Sequence, residues 1–294
     1  MIALRTQWTR TDLLAAGSLR TLRIAIEASV PLSAGKHNTS LTETARPRVD
    51  ELEGAAQEIG LNPGSYAPNW RLQLGSLGSG NHFIEITVDE TDAVSLFLHA
   101  GSRGVGNKIA QRHIAAAAAR CRRERIDLPD RDLAFLVEGT GDFDAYMREL
   151  HWAQDFALLN REEMMDRVVQ VVSDHMGHDV EEHERVSCRH NFTAREGALR
   201  QRGLGLPQGC HQGGLGDMGL IPGSMGTASY VVEGKGDPLS LCSSPHGAGR
   251  NHSRTAARRL FTREQLARRC TASSTETPRP WSTRSPPRTR TSTS

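Results

Sequence analysis

Four histidines in this chain stand in settings that suit chemistry. His82 lies in Gly-Ser-Gly-Asn-His-Phe-Ile-Glu (78–85) and His99 in Leu-His-Ala-Gly-Ser-Arg-Gly (98–104). His190 lies in Cys-Arg-His-Asn (188–191) and His246 in Ser-Pro-His-Gly-Ala-Gly-Arg (244–250). Neutral imidazole binds borderline metals such as Mn²⁺ or Zn²⁺, and histidine also serves as a covalent nucleophile. Flanking glycines let backbone and ligand approach closely. Taken one at a time, each histidine reads equally well as a surface or core residue. As a set at strand ends they leave metal ligation and structural roles both open. A rival group, His175, His178 and His183, lies at a helix end among acidic residues and reads as solvated.

Two glycine-rich segments, Pro222 to Gly226 and Gly247-Ala-Gly-Arg250, offer unblocked backbone N–H groups of the kind that bind phosphate. Neither is a P-loop, and Gly101-x-x-Gly104-x-Gly106 has its glycines in the wrong order for a dinucleotide fingerprint. Read alone, each is a turn.

The elements that must position these residues follow from apolar periodicity. Residues 9–29 predict one amphipathic helix behind a Thr-Asp cap, 31–48 a polar loop, and 49–60 a short helix. Phe83 to Val88 alternates like a strand, Val94 to Leu98 is a short apolar strand, and Asp89 to Asp92 turns them into an antiparallel hairpin. That hairpin carries His82 and His99 to one end. Residues 107–125 predict an Ala-rich helix, 142–159 and 161–174 two more with a packing stripe, and 229–233 and 239–242 further strands. No internal repeat occurs.

Composition bounds the class. At 294 residues the chain can form one large domain or two ordinary ones. Lys and Arg number 36 against 34 Asp and Glu, a net charge of +2 that by itself argues for no polyanionic partner. Five cysteines without a CxxC pair argue against a disulfide framework and fit a reducing, cytoplasmic setting. No apolar run reaches membrane-spanning length. From Cys270 to Ser294 the chain is Thr, Ser, Arg and Pro, too polar to offset its ordering entropy, so disorder is expected there.

As a set, the motifs resemble the RtcB-type RNA ligases. The matching blocks are Met-Ile-Ala-Leu-Arg-Thr (1–6), residues 74–86, residues 98–107, His-Asn-Phe (190–192), Gly-Leu-Ile-Pro-Gly-Ser-Met-Gly-Thr-Ala-Ser-Tyr (219–230) and Cys-Ser-Ser-Pro-His-Gly-Ala-Gly-Arg (242–250). The resemblance implies a mixed α/β (α+β) domain over 1–269. It also implies a GTP- and Mn²⁺-dependent reaction joining RNA with a 3′-phosphate or 2′,3′-cyclic phosphate to RNA with a 5′-hydroxyl. By the same resemblance His246 is the nucleophile that takes GMP, and His82, His99 and His190 are ligands in a centre of two manganese ions. Asn81, His82, Phe83, Ile84, Glu85, His190, Asn191, Pro222, Gly223, Ser224, Met225, Ser229, His246, Gly247, Ala248 and Gly249 would line the guanylate site. Expected partners are RNA and GTP, with room for an activating protein and none for a membrane.

The chain departs from the family pattern in two respects. The Asp-Ile-Gly-Cys-Gly segment that precedes Met-Ile-Ala-Leu-Arg-Thr in the family, and supplies an Asp and a bridging Cys to the metals, does not occur in these residues. That implies an N-terminally truncated ligase with impaired activity. The alternative is a non-catalytic remnant that binds RNA or guanine nucleotide through Arg103, Lys108, Arg250 and Arg254. Codons allowed for Trp281 to Thr293, read in another frame, give the family's Val-Val-Asp-Glu-Ile-Pro-Ala-Ala-Tyr-Lys-Asp-Ile-Asp. Gln208 to Gly214 likewise yields a family-like segment one base along. Frame slips near Cys270 and within 197–214 are the hypothesis that follows, with Cys210 and His211 accidental. Resequencing the gene is expected to show them, and a verified unbroken frame encoding these residues would remove the idea.

Overall fold

The computed structural model describes residues 1–32, 35–189, 194–196, 203–205, 210–223, 227–247, 252–262 and 264–265. The tail at 270–294 and most of 197–209 lie outside the described residues. Helices and antiparallel sheets are both present, as expected of a mixed α/β chain. Among the described residues no helix is long and apolar enough to cross a membrane.

The chain opens with a strand that periodicity did not reveal, β1 (Ile2–Thr9). Ile2, Ala3 and Leu4 are buried on both faces, and farther along a polar residue, Thr6, stands on the buried side, so apolar–polar alternation is blurred. The single helix expected over 9–29 is two, α1 (Arg10–Ala15) and α2 (Leu19–Ser29). Thr9 and Asp12 form the expected capping box. The break falls at Gly17, whose φ of +148° no other residue adopts readily, and a Cβ there would meet the His175 ring. Of the apolar residues in this stretch, Leu13 and Leu22 are buried while Leu14 and Ile24 face solvent.

Next come α3 (Ala45–Glu58), a turn earlier than expected, and the single turns α4 (Pro63–Tyr66) and α5 (Trp70–Gln73). The hairpin holds as read, with β2 (Phe83–Val88) and β3 (Ala93–His99). Then follow α6 (Arg103–Arg123) and α7 (Gly141–Met176). The two helices expected over 142–174 are one. Asn160, Arg161 and Glu163, at the expected break, are buried polar groups inside a continuous helix. Short strands complete the chain: β4 (Glu184–Ser187), β5 (Ala194–Glu196), β6 (Gly203–Gly205), β7 (Cys210–Gln212), β8 (Met218–Ile221), β9 (Tyr230–Glu233) and β10 (Ser243–Pro245), before α8 (Arg254–Leu260). The strand expected at 239–242 is instead a 3-10 turn at Pro238–Ser240 followed by Leu241 and Cys242 in the left-handed region. The Asp237 side chain caps that turn by accepting from Leu239 N.

The chain divides into two compact units. One comprises Met1–Ala25, Phe83–His99 and the residues from Gln170 onward. It is built on an antiparallel sheet in the order β2-β3-β1-β4, with Ala3 between Phe97 and Val186. One face of that sheet buries Met1, Ala3, Phe83, Phe97, Val186 and Cys188 with Leu220 of β8. The pairs β5-β6, β8-β9 and β7-β10 are two-stranded.

The other unit comprises Ile26–His82 and Ala100–Val169. Its core gathers Trp70, Trp152 and Phe156 with Val49, Leu52, Leu74, Val105 and Ile109. Trp70 meets Trp152 edge-on at 5.5 Å, and the Trp152 indole donates to Leu52 O at 2.9 Å. Beside this core the Glu163 carboxylate is fully buried. It accepts from Thr42 Oγ1 at 2.7 Å, Thr44 Oγ1 at 3.0 Å and Arg167 Nε at 2.8 Å, and from Arg48. Arg167 also donates to Asn38 Oδ1 at 2.7 Å, Ser29 O and Gly75 O.

Burial alone would raise the Glu163 pKa, but the Thr42 and Arg167 bonds outweigh it and hold the group below its ordinary 4.5. A depressed carboxyl stabilises the fold above its unfolded pKa and ceases to do so as pH falls through the folded value. Glu163→Gln is therefore expected to cost about 3 kcal/mol at pH 7, since it leaves buried arginines without their partner. Denaturant titrations should show that difference shrinking as pH falls below 4.5, and equal stability of variant and parent at pH 7 would refute it.

Candidate active site

Both metal-ligand histidines expected on the hairpin stand where the chain passes from one unit to the other. His82 is the last residue of one segment before Phe83, and His99 the last before Ala100.

In the sheet unit, His99 ends β3 and is 1% exposed. Its antiparallel partner is Phe83, so both side chains share one face. The His99 and Phe83 rings stack at 5.6 Å and 16°, and Phe83 stacks in turn on Phe97 at 5.6 Å and 9°. His246 extends this column: its ring lies parallel to His99 at 6.0 Å and 12°. The register Ser244↔His211 and the bond from Gly213 N to Cys242 O at 2.7 Å place the backbone that delivers it. His246 is partly exposed, with its Nδ1 buried.

Glu85 lies opposite Phe97 on the same face as Phe83. Ile84, opposite Leu98, points to the other face and could offer a nucleotide only its backbone. The β8–β9 connection carries Pro222, Gly223 and Ser229, and Gly223 N donates to Ser229 Oγ at 3.1 Å. A Cβ on Gly223 would run into the Ala228 and Thr227 carbonyls, so this close approach requires glycine. Gly247 is exposed. His190, Asn191, Ser224, Met225, Ala248 and Gly249 lie outside the described residues.

In the helical unit, Asn81 is exposed and His82 partly buried. His82 Nδ1 lies 2.8 Å from Leu77 O. A carbonyl can only accept, so Nδ1 carries the proton and Nε2 the lone pair. Burial, with help from the Arg103 and Arg161 charges, holds its pKa below 6.5 despite the Leu77 bond, which favours the neutral ring. A neutral imidazole fixed in one tautomer by a backbone carbonyl is the form that ligates a metal. Among the described residues no group of three or more His, Cys, Asp or Glu is arranged to hold one, and the expected third ligand is His190.

Sequence reasoning missed Asn160. Fully buried on α7, its Oδ1 accepts from Gly75 N at 2.8 Å and Ser76 N at 3.2 Å. Its Nδ2 donates to Gly101 O at 3.1 Å. One amide thus ties the loop leading to Asn81 and His82 to the loop that follows His99. Arg103, read from sequence only as a phosphate contact, donates to Ser76 Oγ at 3.0 Å and Lys36 O at 2.9 Å. Its φ of +57° is a left-handed conformation that costs a residue with a side chain about 1–2 kcal/mol. Gly78 leaves the room its guanidinium occupies. An Asn-Arg pair closing an apolar helical run was the available signal.

Comparison with known proteins now sorts this arrangement into a class, the RNA-joining ligases. The family model described as tRNA-splicing ligase RtcB matches residues 1–279. RNA-splicing ligase RtcB1 of Escherichia coli is 40% identical over 282 residues, covering 91% of this chain and 69% of the relative. tRNA-splicing ligase RtcB of Pyrobaculum aerophilum is 34% identical over 68% of this chain and 50% of its own length. RNA-splicing ligase RtcB of Mycobacterium tuberculosis is 32% identical over 66% and 52%. The chain belongs to the RtcB family of RNA ligases.

Asn160→Ala is expected to destabilise the fold by about 3 kcal/mol, because it strips partners from two buried N–H groups and a carbonyl. Hydrogen exchange should speed up at Gly75 and Ser76 well before the Trp70 core opens. Unchanged protection at those two amides would refute this role.

Proposed function

We propose that this chain joins RNA bearing a 3′-phosphate or 2′,3′-cyclic phosphate to RNA bearing a 5′-hydroxyl, with GTP as co-substrate and Mn²⁺ as cofactor. The observation that carries the reading is the parallel stacking of His246 on His99 at the end of a buried strand. In the first step His246 Nε2 attacks the α-phosphorus of GTP; a P–N bond forms and pyrophosphate leaves. In the second, a 3′-phosphate oxygen of the RNA attacks the same phosphorus and the P–N bond breaks, releasing His246. In the third, the 5′-hydroxyl of the other RNA attacks the 3′-phosphate, its proton is lost, and GMP departs as the phosphodiester forms. Splitting the reaction through histidine replaces one hard displacement with easier ones.

His82, His99 and His190 are the residues that would hold manganese, which supplies charge neutralisation on the phosphates. Phe83 holds the His99 ring in place, and Gly223 and Ser229 shape the connection that would face the nucleotide.

The test is incubation of the chain with α-labelled GTP and Mn²⁺. A protein-bound label that is lost in acid, survives alkali and disappears in His246→Ala is expected. Label persisting in that variant, or nucleotide binding with no adduct in the parent, would overturn the catalytic reading; the latter result favours a non-catalytic binder. Because the His82 pKa sits below 6.5, Mn²⁺ affinity measured by calorimetry is expected to hold down to pH 6.5 and to weaken below it as protons compete. Affinity already falling between pH 8 and 7 would contradict this.

A further inference from the structure

Helix α6 carries the inference furthest. Between Arg103 and Arg123 it contains six Lys or Arg and no Asp or Glu. Its formal charge is thus +6 in a chain whose total is +2, so all other residues together carry −4. The helix concentrates cations that the whole-chain balance conceals.

These cations are not accounted for by the helix itself. A helix N-terminus favours anions, yet α6 has no acid in its first turn. At the C-terminus Arg120 already interacts with Glu124 at 2.8 Å and lies over the Phe135 ring. Arg122 and Arg125 are exposed and make no ion pair among the described residues, and Arg123 is 72% exposed with only a loose approach to Glu124 at 3.8 Å. Lys108 is exposed and likewise makes none. Between Lys108 and Arg122, Ala115 and Ala119 keep the outer face smooth. The spacing is about 21 Å at 1.5 Å per residue, past which one nucleic-acid strand runs about six phosphates.

The other end of α6 lies near His82 within the same unit. Arg103 reaches Ser76, and a Cβ on Gly101 would lie 3.5 Å from His82 Nε2. We propose that the outer face of α6, from Lys108 to the Arg122, Arg123 and Arg125 cluster, is a second contact for RNA. It would hold the backbone of the strand several nucleotides away from a phosphate held at His82. This rests on the reading that the chain acts on RNA. The surface reads phosphate charge and not sequence, so it favours longer substrates without regard to their bases.

The experiment uses the full chain and a variant carrying Arg122→Gln, Arg123→Gln and Arg125→Gln, all at exposed positions, with a good helix former kept at the two that lie in α6. Binding of 3′-phosphorylated RNAs of about 4 and about 16 nucleotides is followed by anisotropy over a salt series. The longer RNA is expected to bind the variant about tenfold or more weakly at low salt, with a salt slope smaller by about 2 to 3. The shorter RNA and the thermal midpoint should be unaffected. Equal loss for both lengths, or no loss for the longer one, would overturn the proposal. So would a polyglutamate peptide competing as well as RNA, which points to an acidic protein partner. No RNA binding by the parent would sink it along with the RNA reading. The His246 adduct involves none of these arginines, so a failure of the catalytic reading shows in a different assay.

Discussion

The helical unit depends on a buried polar face of α7. Asn160, Glu163 and Arg167 recur at helical spacing and all point inward, where apolar groups would ordinarily sit. A buried carboxylate costs several kcal/mol unless it is paired and its remaining lone pairs are bonded. Glu163 meets that condition only because Thr42, Thr44, Arg48 and Arg167 converge on it. Thr42 and Thr44 come from the loop before α3, and Arg48 and Arg167 from α3 and α7. Loop backbone groups must find partners outside regular structure, and Arg167 and Asn160 are those partners at Gly75 and Ser76, while Arg167 also takes the Ser29 carbonyl at the end of α2. Apolar replacements of similar size could fill the space, but they would not dictate which carbonyl or amide sits where. The polar face specifies loop geometry, and the loops carry Asn81, His82 and Arg103.

In the sheet unit the corresponding constraint is register. His99 shares a face with Phe83 and Phe97 because β2 and β3 pair Phe83↔His99, Glu85↔Phe97 and Val88↔Val94. A slip of one residue would turn every one of these side chains over. The register is pinned at the far end of the hairpin. There Asp89 accepts from Thr91 N at 2.8 Å, Ala93 N at 2.9 Å and Arg5 Nε at 2.9 Å. These bonds outweigh the cost of desolvating the carboxyl and hold it well below its ordinary pKa. A turn at the far end of the hairpin thus decides which way the His99 imidazole faces.

Much of this was legible in the residues. The hairpin showed because alternation and a four-residue polar turn coincide, and the histidine motifs showed because glycine and asparagine flank them. Where the sequence misled, a local rule met a tertiary exception. β1 hides because its first three residues are buried on both faces and Thr6 puts a polar group on the buried side. α7 reads as two helices because buried Asn160 and Glu163 imitate a solvent-facing break. α2 separates from α1 at Gly17, whose φ of +148° is not helical. The strand read at 239–242 is a turn because Pro238 and the Asp237 cap favour one. Asn160 was invisible as a site residue, since its role lies in which backbone groups it touches, and those are distant in sequence.

The two stacked histidines are held in different ways, and the difference bears on chemistry. His99 ends a seven-residue strand inside a four-stranded sheet and is almost wholly buried. His246 follows a strand of three residues whose one neighbour, β7, is equally short. Just upstream, Leu241 and Cys242 both adopt positive φ, each at a cost of about 1–2 kcal/mol. The bonds from Cys242 N to Asp237 O and from Gly213 N to Cys242 O offset part of that cost. Pairing this short is marginal by itself, and segments with few buried contacts open at lower free energy than core strands. A metal ligand has to stay where it is. A nucleophile has to reach phosphorus, carry a guanylyl group and release it. On the proposed roles, the sheet would fix the imidazole whose task is static, and the strained, lightly paired segment would present the one whose partners change.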